Sequence, residues 1–220
     1  LRVAAALTPT LGFLALGDSY TIGEGVAAAE CWPRQLTARL RAQGVALGEP
    51  RIIANTGWTC AELISAIARS EPACAAPTYA LVTLLIGVND QYRDHPEADY
   101  AARWQALLKR AIALCTRGAS GCLAISIPDW GSTPFATQDP RGPAAVSAAI
   151  DRYNAIAAQI ARAHHVIFCD ITQVSRQSAV ARALVADGLH PDAAQYAAWV
   201  GQVLAPAAQR GLTGPGAANA

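Results

Sequence analysis

Five short apolar runs rich in β-branched residues constrain the fold of this chain most: Phe13 to Leu16, Arg51 to Ala54, Leu81 to Ile86, Leu123 to Ile127 and Val166 to Asp170. They are apolar throughout rather than at every second position, the pattern of strands buried on both faces. Helical patterns lie between them. Trp104, Leu107, Leu108, Ala111, Ile112 and Cys115 fall at i, i+3, i+4, i+7, i+8 and i+11, one face of an amphipathic helix, which makes Cys115 a core residue. Tyr196, Trp199, Val200, Val203 and Leu204 repeat this spacing after Pro191, a residue favoured in a helix's first turn, and predict a closing helix. Strands alternating with helices predict an α/β fold whose parallel sheet is covered on both faces. Ligands then bind outside the carboxyl ends of the strands, where the loops converge.

With 220 residues the chain fits one domain. Its expected extent is 13–210, with a lead-in over 1–12 and a tail over 211–220 whose Gly, Ala, Pro and Asn lack periodicity and should fray. The stretch Leu1 to Gly12 is apolar, carries Arg2 and is broken by Pro9, so it reads either as the remnant of a removed signal or as a simple lead-in. No run approaches the roughly 18 apolar residues that span a bilayer, which excludes stable membrane insertion. Hydrophobic residues make up 53% and charged residues 15%, a balance that excludes disorder for most of the chain. A net charge of +1, with both signs scattered, gives no footprint for nucleic acid or an anionic membrane. The expected partner is a small, roughly neutral molecule.

The six cysteines, Cys31, Cys60, Cys74, Cys115, Cys122 and Cys169, allow up to three disulfides, and no spacing selects among the fifteen pairings. There is no C-x-x-C, and the cysteines are not grouped with histidines at zinc-finger spacing, so no metal site is expected. His164 and His165 would point apart on a strand. Compartment and oligomeric state stay open.

Chemistry concentrates after the strands. The first runs into Gly17-Asp18-Ser19-Tyr20-Thr21, placing a hydroxyl where a helix begins and backbone N–H groups can stabilise developing negative charge. Ser19 or Asp18 as a simple helix cap is the competing reading. The second ends in Asn55-Thr56-Gly57-Trp58, where Gly57 lets a backbone N–H approach a substrate. The third ends in Gly87-Val88-Asn89-Asp90, whose Asn89 amide is a hydrogen-bond donor. Before the last helix stands Asp187-Gly188-Leu189-His190-Pro191. A serine hydroxyl needs an imidazole to take its proton and a carboxylate to hold that imidazole's tautomer, and Asp187 and His190 supply both from one turn. An Asx turn at Asp187 is the alternative.

Together these four segments resemble the four sequence blocks of the SGNH, or GDSL, hydrolase family, over Gly17 to Pro191. The resemblance implies a three-layer α/β/α sandwich with a parallel five-stranded sheet in flavodoxin-like order. It implies Ser19 as nucleophile, His190 as general base and Asp187 as its orienting carboxylate. It further implies that the Ser19 N–H, Gly57 N–H and Asn89 side chain would form the oxyanion hole, with Asp18 and Asp90 bracing their loops. No cofactor is implied. Tyr20 stands where the family's name implies Leu. Gly118-Ala119-Ser120-Gly121 is a decoy for the lipase elbow G-x-S-x-G, and Cys60 is assigned no role.

The implied substrate is a small carboxylic ester, with short acyl or aryl groups expected because bulky residues stand near the rim and no long apolar lid is apparent. Trp58, Gln91, Tyr92 and the stretch from Asp129 to Phe135, with Trp130 in it, are the expected substrate-binding positions. Lysophospholipase, thioesterase or carbohydrate deacetylase activity are alternatives on the same fold. A flavodoxin-like carrier with an anion at the Ser19 to Gly25 loop is a rival from another class. Glu24 sits where that anion would bind, and the carrier leaves Asp187 and His190 unexplained. A catalytically silent binding module is a second rival.

Overall fold

The computed structural model describes residues 10–70, 77–177 and 182–213. Strands β1 (Leu11–Gly17), β2 (Leu47–Ala54), β3 (Leu81–Leu85), β4 (Cys122–Ile125) and β5 (Ile167–Cys169) form one sheet in the order β2-β1-β3-β4-β5, each pair parallel. The helices in chain order are α1 (Ser19–Ile22), α2 (Trp32–Ala42), α3 (Cys60–Arg69), α4 (Val88–Tyr92), α5 (Glu97–Leu114), α6 (Pro143–Ala163), α7 (Thr172–Ser175), α8 (Ala193–Trp199) and α9 (Ala205–Thr213). A π turn over Val200–Leu204 joins the last two.

Topology follows from the handedness of crossovers. The chain steps from β1 outward to β2, then returns past β1 to β3 and on to β5. Because parallel crossovers are right-handed, reversing direction moves the helices to the other face. Accordingly α2 packs with α8 and α9, while α3, α5 and α6 pack together, giving three layers. The reversal leaves a crevice at the carboxyl ends of β1 and β3, the switch point where doubly wound sheets bind ligands. β3 is buried at all five positions and Leu81, Leu84 and Leu85 are essentially inaccessible; each such side chain contributes about 1.5–3 kcal/mol over its exposed state.

All five predicted runs are strands. β1 opens at Leu11, inside the expected lead-in, and β2 opens at Leu47 and contains Pro50. An edge strand tolerates a proline because one row of its N–H groups faces away from the ladder. Gly211 to Thr213, expected to fray, close α9: Gly211 is buried, and a Cβ there would lie 2.6 Å from the Ser120 carbonyl oxygen. Residues 1–9 and 214–220 lie outside the described residues.

Two local expectations are corrected. Pro191 is not in the first turn of the closing helix; Asp192 is the N-cap, its carboxylate accepting from the Ala194 and Gln195 N–H groups at 2.8 and 3.0 Å. Pro191 instead forms an antiparallel bridge with Leu184. His164 and His165 end α6 rather than entering a strand, His165 having φ +58°. Cys31, Cys60, Cys115, Cys122 and Cys169 are buried free thiols, and Cys74 lies outside the described residues. Among the described residues no helix is long and apolar enough to cross a membrane.

Candidate active site

The turn after β1 presents Ser19 as the first residue of α1. Asp18 is its N-cap, the Oδ1 accepting from the Tyr20 N–H at 3.1 Å, and the first helical N–H groups lack intrahelical acceptors. Capping and presentation of the hydroxyl therefore coexist, one on each residue.

The Asp187 to His190 turn is held by a small hairpin. The Val185 N–H donates to the His190 carbonyl at 2.9 Å, and the Asp192 N–H donates to the Ala183 carbonyl at 2.9 Å. Asp187 Oδ1 accepts from the Leu189 and His190 N–H groups at 2.8 and 2.9 Å, an Asx turn, while Oδ2 accepts from His190 Nδ1 at 2.6 Å. Partial burial opposes ionisation of Asp187, but the bonds from the His190 ring and from the two backbone N–H groups outweigh it and hold the carboxyl below its usual range. An ionised carboxylate only accepts, so Nδ1 carries the proton and Nε2 is free to accept. His190 Nε2 lies 2.9 Å from Ser19 Oγ. Ser19 is 5% exposed and His190 9%, so the contact between hydroxyl and imidazole is largely shielded from water, while the Asp187 side chain is 43% exposed.

The donors expected opposite Ser19 come from the turns after β2 and β3. Gly57 has φ +80°, and its nearest neighbour to an added Cβ would be Arg93 Nη2 at 3.6 Å. Backbone conformation rather than crowding thus demands glycine there. Asn89 Nδ2 donates to the Trp58 carbonyl at 2.9 Å, which fixes the amide plane and leaves its second N–H for another acceptor. The same two turns are tied by the Cys60 N–H to Asp90 Oδ2 at 2.8 Å and by Arg93 Nη2 to the Gly57 carbonyl at 2.7 Å. Thr56 donates to Glu24, joining the β2 turn to the loop that follows Ser19. These links hold three separate strand ends in fixed relation.

A cleft of about 210 Å³ opens at this point, lined by Ser19, Gly57, Asn89, His190 and the apolar Val88, Tyr92, Trp130, Phe135 and Leu189. Tyr92 and Trp130, expected to bind substrate, therefore line it; Trp58 and Gln91 do not. Gln91 is 1% exposed and its Oε1 accepts from Trp130 Nε1 at 2.8 Å, so it anchors the wall from behind. Trp58 offers its carbonyl to Asn89. Tyr92 and Phe135 meet the Trp130 ring edge-on, with centroids 5.6 and 6.0 Å away. Leu189 and Val88 were missed by sequence reasoning, although each neighbours a motif residue. Ser120 precedes β4, at the opposite end of the sheet, and donates to the Arg117 carbonyl.

Asp18 is fully buried, and its Oδ2 has no hydrogen-bond partner among the described residues. Burial, reinforced by the charge of Asp90 and opposed by the Tyr20 N–H, pushes its pKa up to about 8. A neutral Asp18 places no negative charge immediately before Ser19. Between pH 3.8 and about 8 the folded state retains a proton that the unfolded chain has released, so stability falls as pH rises. The slope is about 1.4 kcal/mol per pH unit for one proton. Asp18→Asn keeps the capping oxygen and removes this titration. Thermal melts across pH should show the variant gaining on the native protein toward the alkaline side; parallel curves would contradict this.

Among the described residues no group of three or more His, Cys, Asp or Glu is placed to hold a metal ion. With the geometry in hand, comparison assigns the chain. The sequence profile of the GDSL-like Lipase/Acylhydrolase family matches residues 15–198, and the chain belongs to this family of esterase- and lipase-type hydrolases. No curated protein matches it in sequence. Among solved structures it is similar to the lipase Lip_vut3 from a goat rumen metagenome, with a TM-score of 0.71 and 17% identity over 90% of this chain and 97% of that one. It is also similar to Axe2, an acetylxylan esterase from Geobacillus stearothermophilus (TM-score 0.63, 19% identity, 96% and 100% covered). TesA is a further neighbour (TM-score 0.61, 19% identity, 92% and 98% covered). At these identities the likeness is one of fold.

Proposed function

We propose that this chain is a serine esterase that hydrolyses small carboxylic esters, with short acyl or aryl groups, through an acyl-enzyme. The observation that carries the reading is the unbroken line from Ser19 Oγ to His190 Nε2 at 2.9 Å and from His190 Nδ1 to Asp187 Oδ2 at 2.6 Å. Ser19 Oγ attacks the ester carbonyl carbon while its proton passes to His190 Nε2, and Asp187 stabilises the resulting imidazolium. The Ser19 N–H, Gly57 N–H and Asn89 Nδ2 receive the carbonyl oxygen as it becomes an oxyanion. Collapse breaks the ester C–O bond, and His190 returns the proton to the departing alcohol. Water then repeats the attack on the acyl-enzyme, with His190 as base, releasing the acid and freeing Ser19.

Size supports the short-acyl preference. A cleft of about 210 Å³ walled by Trp130, Phe135, Tyr92 and Leu189 is smaller than the roughly 300–1,000 Å³ of most drug-sized ligand sites. On 4-nitrophenyl esters, kcat/KM is expected to be highest for acetyl or butyryl and to fall at least about tenfold at decanoyl, since successive methylenes find no further wall to bury against. A decanoyl preference would overturn the short-acyl assignment.

A further inference from the structure

The residue after the nucleophile has a role in this chain beyond packing. Tyr20 is buried, and its ring lies beside the His190 imidazole, centroids 5.4 Å apart and planes tilted by 54°. Behind it stands Trp199 at 6.3 Å, itself edge-on to Tyr196 at 5.1 Å, so the tyrosine is backed by rings of α8. Hydrogen bonds fix His190 at its two nitrogens, to Asp187 and to Ser19. The covalent tether at Cβ and these two bonds set the mean plane of the ring but do not damp small rocking about it. A flanking ring does.

We infer that Tyr20 is a positioning residue for His190: its ring fixes the plane of the imidazole and stabilises the imidazolium that forms while Ser19 transfers its proton. The aromatic quadrupole attracts a cation that lies over the ring face within about 6 Å of the centroid, and the attraction grows where water is excluded. Neutral imidazole gains less, so the stabilisation acts more on the transition state than on bound substrate. The ring, not the hydroxyl, carries this effect. Tyr20 borders both the active-site cleft and a small polar cavity of about 10 Å³ shared with Asp129, Ser175 and Gln195.

The inference rests on His190 being the base, and four variants assayed with 4-nitrophenyl acetate separate the two. Tyr20→Phe, which keeps the ring, is expected to retain kcat within about twofold, whereas Tyr20→Leu is expected to lose about tenfold in kcat with KM changed less than about twofold. Tyr20→Met, similar in volume to leucine but flexible enough to fill the gap, should show the same loss, which guards against misfolding of the leucine variant. Assays run well below each variant's thermal midpoint. Native kcat in Tyr20→Met or Tyr20→Leu overturns the inference, as does a Tyr20→Phe loss equal to theirs. His190→Ala keeps the failures apart: if it turns over like the native enzyme, the base assignment itself falls.

Discussion

Ser19→Ala is expected to lower kcat by about four to six orders of magnitude while the thermal midpoint moves by only a few degrees. The size of the loss follows from the chemistry. With the hydroxyl gone, no atom at that position can form the acyl-enzyme, and His190 has no proton to accept; what remains is attack by water aided by the oxyanion donors. The small stability effect follows from the surroundings. The substitution removes one oxygen whose side-chain hydrogen bond runs to His190 Nε2, and leaves the Cβ and the Asp18 cap in place. A single lost hydrogen bond is worth about 1 kcal/mol. Activity on 4-nitrophenyl acetate and thermal melts of the same preparation check both halves. Native turnover in the variant would refute the nucleophile assignment, and collapse of the melt would show that the loss of activity has another cause.

Asn89→Ala is expected to cost on the order of 3 kcal/mol of transition-state stabilisation, about a hundredfold to a thousandfold in kcat, with a small change in KM. One amide hydrogen is committed to the Trp58 carbonyl, which aims the other. That aim is set before substrate arrives, so little reorganisation opposes charge development, and the benefit falls on the oxyanion rather than on the neutral ester. The loss of the Trp58 link is buffered by the Cys60 N–H to Asp90 and Arg93 to Gly57 bonds, which still tie the two turns together. Steady-state kinetics decide the matter: a raised KM with unchanged kcat would make Asn89 a binding residue only.

Much of this arrangement was legible in the amino-acid sequence, for identifiable reasons. Strands buried on both faces, as β3 and β4 are, leave uninterrupted apolar runs, and the partly buried edge strands β2 and β5 keep short apolar, β-branched runs of their own. Each of the five could therefore be located, and the carboxyl ends point to the loops that hold Ser19, Gly57 and Asn89. The Asp187 and His190 pair was legible because both reside on one turn, where three residues of separation suffice for contact. The wall of the cleft was legible only in part: Tyr92, Trp130 and Phe135 were expected there, whereas Leu189 and Val88 were not. Gln91 and Tyr92 are neighbours on the short helix α4, yet one turns inward to hold Trp130 and the other is 49% exposed at the cleft, and nothing in their order distinguishes them. The partner that decides it, Trp130, arrives from a different strand end. Leu189 sits in a turn without periodicity, so no pattern marks which way it faces. The left-handed backbone at Gly57 is likewise invisible to a reading that sees only the smallness of glycine.

The buried state of Asp18 shows the same limit from the electrostatic side. An aspartate ahead of a short helix reads as an ionised cap, and a cap it is. Its neutrality depends on complete burial and on Asp90 contributed by a different strand end, neither of which local sequence reveals.

The most direct measurement is covalent. A fluorophosphonate probe reacts with a hydroxyl only where a base and an oxyanion hole activate it, so mass spectrometry of the digested adduct locates the nucleophile by its own reactivity. The expected result is one adduct, on the peptide carrying Ser19, and none in Ser19→Ala. Labelling of any other serine in its place, or an adduct that persists in Ser19→Ala, would contradict the account.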